Sequence, residues 1–564
     1  MRRRLTVRAV LNRLSLEFDL LIWRYRTAAL RRRRDFPPAT RCILISDLMS
    51  TISTVKSEAL FAAALRSRGF APVVLLPGRY RIVERYYRMA GPVEFVYLDS
   101  FLDADVSINA QRDADRRLNE DPQLAHLINW EADGYRIGRN VMSRAVRILR
   151  VGRIDPSDGK HCETVRQTLI ESLATRTACE HILDQVAPEI ALFNERGYTP
   201  AAEIFDGCLR RGIDAVQWFG APQSESLAYK RYHSNNRAHH PLSLSDETWR
   251  ALQKRRWNEK DEHRVLQFLR ANYETGAWFN RQQLQEGKAI LTADAAKARL
   301  GLDPAKKTAV IFCHILYDAT FFFGDSLFSD YEAWLVEAVR GAIANPNLNW
   351  IVKVHPVNVW RSRMDGQPME QLEVQAIRAA CGTLPDHVKI LPADTEINTY
   401  TLFDIADYGL TVRGTIGMEL PCFGIPVVTA GSGRYSGRGF TIDPETPDTF
   451  RAVLASLHTV PKLDQATIHD AQRYLYGSFF LRPLRMDGFL LDFRANSFSS
   501  PALVSNVHLD PASAARLEDT TDLRRFCDWM SDGHSEDLLA EDLPESIDLL
   551  PCENTEFDAE RICP

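Results

Sequence analysis

Short apolar runs alternate with longer stretches of three- and four-residue apolar spacing along most of this chain. Alternating strand and helix of this kind argues for parallel sheets in an α/β protein. Cys42 to Ser46, Val73 to Leu76 and Phe95 to Leu98 read as strands, with a helix from about Val55 to Arg68 after the first. Residues 105–185 are mostly polar and helical in pattern, without a β run, and are expected to form an insertion. Strands resume at Ile190 to Phe193 and Ala215 to Trp218, around a helix starting near Pro200, where a fixed φ suits the first turn. Residues 221–290 are charged and helix-prone and read as a connector toward a cleft, with Arg237, His239 and His240 close together. No internal repeat or membrane-spanning run is evident.

A second alternating half follows. Its densest stretch runs from Asp407 to Ala430: a strand (Leu410 to Val412), a glycine turn, a short helix, a second glycine turn and a strand (Ile425 to Val428). Gly414 allows backbone to approach a ligand closely, and Thr415 stands where a helix N-cap belongs. Thr415 and Glu419 are four residues apart and share a helical face. A helix N-terminus suits a phosphate, and a carboxylate one turn inward could hold a ribose hydroxyl. Sugar-nucleotide recognition is the expectation; the bland alternative is an ordinary strand-helix-strand unit with Glu419 exposed.

A β-rich run, Trp350 to Pro356, ends in Lys353, His355 and Pro356. With a period of two, Lys353 and His355 share a face, and Pro356 stops the strand. Ligands in open α/β sheets bind beyond the carboxyl ends of strands. A phosphate there would meet a fixed charge and an imidazole; otherwise these are a surface lysine and a structural histidine.

Residues 289–485 resemble the capsule polysaccharide biosynthesis family of bacterial glycosyltransferases. The resemblance lies in ordered pieces: Leu300 to Pro304, the strand Thr308 to Cys313, His314 to Ala319 with Phe321 to Phe323, and the Lys-Val-His-Pro run. Further pieces are Asn398 to Thr401, Arg413 to Glu419, Gly424 to Pro426, Gly439 to Asp443 and the aromatic Arg473 to Phe480. Phe193 to Tyr198 with Ala215 to Trp218 is more weakly similar to the N-terminal half of that family. The resemblance implies a GT-B-like fold, two Rossmann-type parallel-sheet domains facing a cleft, with helical insertions and extended termini.

It also implies a glycosyltransferase that moves a sugar from a nucleotide-sugar donor onto a capsular or other surface polysaccharide acceptor. By position, Lys353 and His355 would contact donor phosphate, Gly414 and Thr415 would form the phosphate turn, and Glu419 would contact ribose. Many retaining GT-B enzymes have a second carboxylate eight residues earlier; here that position is Thr411. The Lys-x-His-Pro run is similar to enzymes that use CMP-activated acidic sugars, which leaves hexosyl and Kdo- or sialyl-type transfer both open. The alternatives are a non-hydrolysing sugar-nucleotide epimerase of the same architecture, and a non-catalytic carbohydrate-assembly protein with a degenerate donor site.

Glycosyl transfer needs a base to accept the acceptor's proton in inverting chemistry. In a two-domain cleft it comes from the N-terminal side. Asp47, at the end of the first strand, and Glu195, just past a later one, are the two candidates, with Asp318 a third from the donor half. Asp47 could instead be a capping or turn residue, and Glu195 an ion-pair partner of Arg196. No Asp-x-Asp pair is placed for a metal, and no cofactor is expected, since the nucleotide-sugar is a substrate.

Composition narrows the setting. The chain has 564 residues, 45% hydrophobic, enough for two cores. Its net charge of −5 gives no argument for nucleic acid, and ten scattered cysteines without a CxxC pair suit a reducing, cytoplasmic location. The charge is uneven. Residues 1–41 hold twelve arginines against Glu17, Asp19 and Asp35, a net +9, around an apolar stripe of Leu11, Leu14, Phe18, Leu21, Ile22 and Tyr25. This basic amphipathic helix either lies on the inner face of the cytoplasmic membrane or docks on the protein body; it is too short in apolar run to span or to serve as a signal peptide.

Ser531 to Pro564 carries eleven carboxylates and reads as part of a flexible acidic tail. The expected division is 1–40 basic helix, 41–220 N-terminal Rossmann-like acceptor domain, 221–290 connector, and 291–460 donor domain. A helix in 461–500 would pack back across the domains, ahead of an acidic tail over 501–564.

Overall fold

The computed structural model describes residues 7–32, 38–48, 51–223, 225–275, 285, 287–357, 359, 371–491 and 507–542. Two sheets organise them. In the first, β1 (Arg41–Ser46), β2 (Phe70–Leu76), β3 (Glu94–Tyr97), β4 (Ile190–Phe193) and β5 (Asp214–Gly220) run parallel. β6 (Ser226–Tyr232) then turns back antiparallel to β5. The second sheet contains β7 (Thr308–Phe312), β8 (Asn349–Lys353), β9 (Val388–Leu391), β10 (Tyr408–Thr411) and β11 (Val427–Thr429), all parallel, in the order β11-β10-β7-β8-β9. After a helix Gln465–Tyr476 the chain returns to the first sheet. There β12 (Leu484–Arg485) adds to the free edge of β6 and completes the order β12-β6-β5-β4-β1-β2-β3.

These are the two mainly parallel sheets that the strand pattern predicts, in the two-Rossmann, GT-B-like arrangement that the resemblance implies. β1, β4, β7 and β10 are central and almost wholly buried, which is why they read as unbroken apolar runs. Alternation along β1 sends Ile43 and Ile45 to one core and Leu44 to another. The second core is built with the helices Ala104–Glu120, Ile137–Leu149 and Gly159–Val186, which fill the stretch expected to be a helical insertion. In each sheet the strand order reverses beside its first strand, between β1 and β4 and between β7 and β10. Those two carboxyl-end crevices are where ligands bind in open α/β sheets.

The termini depart from expectation. Among residues read as a flexible acidic tail, 507–542 are packed. The helix Thr521–Asp532 puts Leu523, Phe526, Cys527 and Met530 into the first core, where Phe526 lies 4.7 Å from the Tyr229 ring and 5.1 Å from Phe61. Asp537 is buried between Lys230 (2.9 Å) and Arg482 (3.2 Å) and accepts Ser245 N at 2.7 Å, and those two cations hold its carboxyl well below the ordinary range. Two buried cations on β6 and beside β12 thus recruit an acidic segment that composition assigned to solvent. Residues 543–564 lie outside the described residues. The connector also holds a strand, β6, whose Lys230 and Arg231 masked it; both are buried. No helix of the described residues is long and apolar enough to cross a membrane.

Candidate functional site

The loops at the carboxyl ends of the two sheets meet. From the first half, the segment after β6 crosses over: His240 N donates to Gly433 O (2.6 Å), and Gly324 N donates to Ala238 O (2.7 Å). Arg196, just past β4, anchors that crossing by donating to Arg237 O (2.9 Å), His239 O (2.8 Å) and Gln217 Oε1 (2.9 Å). Its guanidinium stacks over Tyr232 at 4.0 Å. An arginine read only as a partner for Glu195 is therefore the buried bolt of the seam.

The crevice between β7 and β10 is lined by basic groups. His314 follows β7; its Nε2 lies 3.0 Å from Thr411 Oγ1 and accepts Val412 N at 3.1 Å, and its ring stacks on Tyr331 at 4.4 Å. Arg413 follows β10 and is 4% exposed; its Nη2 donates to Asp325 O (3.1 Å) and to Ser326 Oγ. Arg434 follows β11 and hydrogen-bonds His240 Nε2. Arg413 Nε and Nη1, Arg434 Nε and the carboxylate Oε1 of Glu419 are all buried without a hydrogen-bond partner among the described residues. Such groups cost of order 1–3 kcal/mol each while unsatisfied, more when charged.

The electrostatics agree. Burial pulls Arg434 down to about 10, and burial together with Arg413, His355 and Arg434 pushes His314 well below the ordinary imidazole value. His240 is lowered likewise by burial and by Arg434, Arg196 and Arg413. Both imidazoles are therefore neutral, and the two guanidiniums carry the charge. This arrangement favours an anion, which would supply acceptors to buried donors and relieve repulsion among them.

Each residue singled out in the sequence has a definite place. Gly414 lies in the crevice: its N donates to Thr411 Oγ1 (3.1 Å), its O accepts Tyr435 OH (2.7 Å), and a Cβ there would stand 2.9 Å from Thr411 Oγ1. Thr415 is helical (φ −57°, ψ −27°) and makes no side-chain cap, because a capping residue needs extended backbone and this one is already inside the turn. The helix Ile416–Glu419 spans one turn before a 3₁₀ turn, Leu420–Phe423, so its dipole adds little and the arginines supply the field. Glu419 is fully buried instead of exposed, and its Oε2 accepts Tyr273 OH at 2.6 Å.

Lys353 and His355 do not share a strand face. β8 ends at Lys353, whose Nζ turns inward to Val354 O (2.8 Å), and burial lowers its ammonium to about 7. His355 sits on the following turn, half-buried, accepts Val357 N at 3.2 Å, and is the one of the two that faces His314.

On the N-terminal side, Asp47 directly follows β1 but is 1% exposed. Tyr87 OH lies 2.9 Å from Asp47 Oδ2 and 2.8 Å from Glu58 Oε2, and Trp218 Nε1 donates to Glu58 Oε1 at 3.0 Å. One phenol has one proton for two carboxyls, so the second contact needs a proton from a carboxyl. Burial and the charge of Asp47 raise Glu58 far above the carboxylate range, which assigns that proton to Glu58. Glu195 is half-buried and its Oε1 accepts Arg196 N (2.7 Å) and Gly197 N (2.8 Å), a turn contact and no side-chain ion pair with Arg196. Asp318 bridges the halves, accepting Arg147 Nη1 (2.7 Å) and Tyr198 OH (2.9 Å).

Sequence reasoning gave no site role to Arg413, Arg434, His314 or Arg196, and noted His240 only as part of a basic cluster near the cleft. Arg413 and His314 stood inside quoted motifs. Arg434 had one available signal, its place five residues past the strand end of β11, where carboxyl-edge ligand groups collect. Among the described residues, no group of three or more His, Cys, Asp or Glu is arranged to hold a metal.

No family model and no curated relative matches this chain. Solved structures that it resembles include a β-Kdo 2,4-transferase, KpsC of Thermosulfurimonas dismutans, at 14% identity and a TM-score of 0.30, over 53% of this chain and 82% of that one. Others are UDP-GlcNAc 2-epimerase of Neisseria meningitidis bound to UDP-GlcNAc (9%, 0.25, 78% and 99%) and the glycosyltransferase VinC in complex with dTDP (13%, 0.23, 77% and 95%). Kdo transferases and another glycosyltransferase are thus among its structural neighbours, at identities and TM-scores too low to bear on its activity.

Proposed function

We propose that this protein is a glycosyltransferase that binds the phosphate of a nucleotide-sugar in the crevice between β7 and β10 and transfers the sugar to a surface-glycan acceptor. The observation that carries the reading is the set of unsatisfied buried donors on Arg413 and Arg434 beside the unsatisfied Oε1 of Glu419 among the described residues. The cations suit a phosphate, and a carboxylate acceptor suits a ribose hydroxyl. In transfer, the bond between the anomeric carbon and the phosphate oxygen breaks, and a bond to an acceptor hydroxyl oxygen forms. Charge grows on the leaving phosphate, so donors already in place stabilise the transition state. Glu195 is the proposed recipient of the acceptor's proton, because it is a partly exposed carboxylate beside the seam that accepts backbone N–H groups, while Asp318 is paired with Arg147 and Asp47 is buried on Tyr87. CMP-activated acidic sugars remain the proposed donor class.

Calorimetric titration with CMP, CDP, UDP and GDP tests the site. One nucleotide should bind, and Arg413→Met should weaken it by about 100-fold. No binding by any of the four, or undiminished binding in that variant, would remove the proposal. Nucleotide release from the sugar donor then separates classes: acceptor-dependent release means transfer, while donor turnover without acceptor means an epimerase. Binding without turnover would favour a carbohydrate-assembly protein, the reading that the burial of Asp47 independently suits.

A further inference from the structure

The helix Val7–Arg26 is apolar on two opposite sides. Leu20 and Trp23 are fully buried against the body, and Trp23 Nε1 donates to Tyr86 O at 3.0 Å. Away from the body, Leu11, Leu14, Phe18, Leu21, Ile22 and Tyr25 are 36–72% exposed. Their three- and four-residue spacing makes one continuous stripe, and they are six of the eleven exposed large hydrophobics among the described residues. Scattered exposure is normal, whereas a stripe concentrated on one helix marks a surface that is covered in use.

Charge identifies what covers it. Both carboxylates of this helix are spent on the body: Glu17 pairs with Arg85 (2.7 Å), and Asp19 pairs with Lys56 (2.9 Å) and accepts Tyr86 OH (2.5 Å). Arg13, Arg24 and Arg32 stay exposed, in a segment whose sequence carries twelve arginines in its first 41 residues. A second copy would bring the same positive charge to the same stripe and be repelled. An anionic bilayer offers both missing partners, acyl chains for the stripe and headgroup charge for the arginines. The docked inner side holds the helix parallel to the protein surface, so the stripe can meet a membrane plane without leaving the body.

We propose that the outer face of the helix Val7–Arg26 seats this protein on an anionic lipid bilayer. The argument is independent of the donor crevice, and so is its test. Full-length protein should co-sediment with vesicles of phosphatidylcholine mixed with phosphatidylglycerol, and at least about tenfold less with phosphatidylcholine alone. Phe18→Ser with Leu21→Ser should cut the anionic binding by about tenfold or more while the melting temperature holds, since neither side chain packs inward. Arg13→Glu with Arg24→Glu should weaken binding and flatten its salt dependence. Equal binding to neutral vesicles would overturn the proposal. So would binding untouched by the serine pair, or an oligomer in solution that the serine pair dissolves.

Discussion

Burial decides what individual residues do here. Glu203, fully buried, accepts Ser172 Oγ (2.6 Å) and Thr199 Oγ1 (2.9 Å), and burial pushes its carboxyl up to about 7. The folded protein therefore binds this proton more tightly than the unfolded chain. Its contribution is complete below the unfolded value near 4.5 and is lost as pH rises to about 7, on the order of 3 kcal/mol over that window. Urea unfolding of wild type and Glu203→Gln from pH 5 to 8 should show the stability difference shifting in favour of the variant as pH rises. A difference independent of pH would mean that Glu203 ionises normally.

Glu58 is the parallel case at the crevice of the first sheet. Glu58→Gln retains a donor toward Tyr87 and an acceptor for Trp218, so it should leave stability at neutral pH unchanged or higher. Asp47→Asn, which removes the charge that Tyr87 serves, should cost about 1–3 kcal/mol by the same measurement.

At the scale of elements, the turn after β10 is shaped by what stands against it. A Cβ on Gly417 would lie 1.9 Å from the hydroxyl of Tyr435, which is itself held by Gly414 O. Gly417→Ala must move either that phenol or the helix Ile416–Glu419, at an expected cost of about 1–3 kcal/mol in urea unfolding and with weakened nucleotide binding. Unchanged stability would show that the turn can relax. The glycine spacing of this segment was legible in the sequence because turns leave local signatures. The early end of β8 was not: Lys353 continues the alternation on paper, and only its bond to Val354 O and its burial show that the strand stops there.

Across the whole molecule, the C-terminal segment closes the first domain. Phe526 lies among Phe61, Tyr229 and the rest of the core around β1 and β2, so Phe526→Ala should cost about 3–5 kcal/mol and expose the chain to proteolysis at its C-terminal end. A loss below about 1 kcal/mol would mean that the segment packs only loosely. The return of the chain to β12 beside β6 couples the halves through a second covalent path besides the connector, while Arg196 over Phe323, His240 against Arg434 and Asp318 with Tyr198 couple them through side chains.

Periodicity along the chain determined the two parallel sheets, the helical insertion, the strand ends where chemistry would sit and the stripe on the N-terminal helix, because all of these are local patterns that 3.6- and 2-residue repeats express directly. Tertiary structure alone decided which basic groups converge. Arg196, His240, His314, Arg413 and Arg434 come from five separate loops, and nothing in their local sequence records that those loops meet. It also decided that Asp47 is sheltered and that an acidic segment becomes core, since desolvation and long-range pairing depend on neighbours far away in sequence.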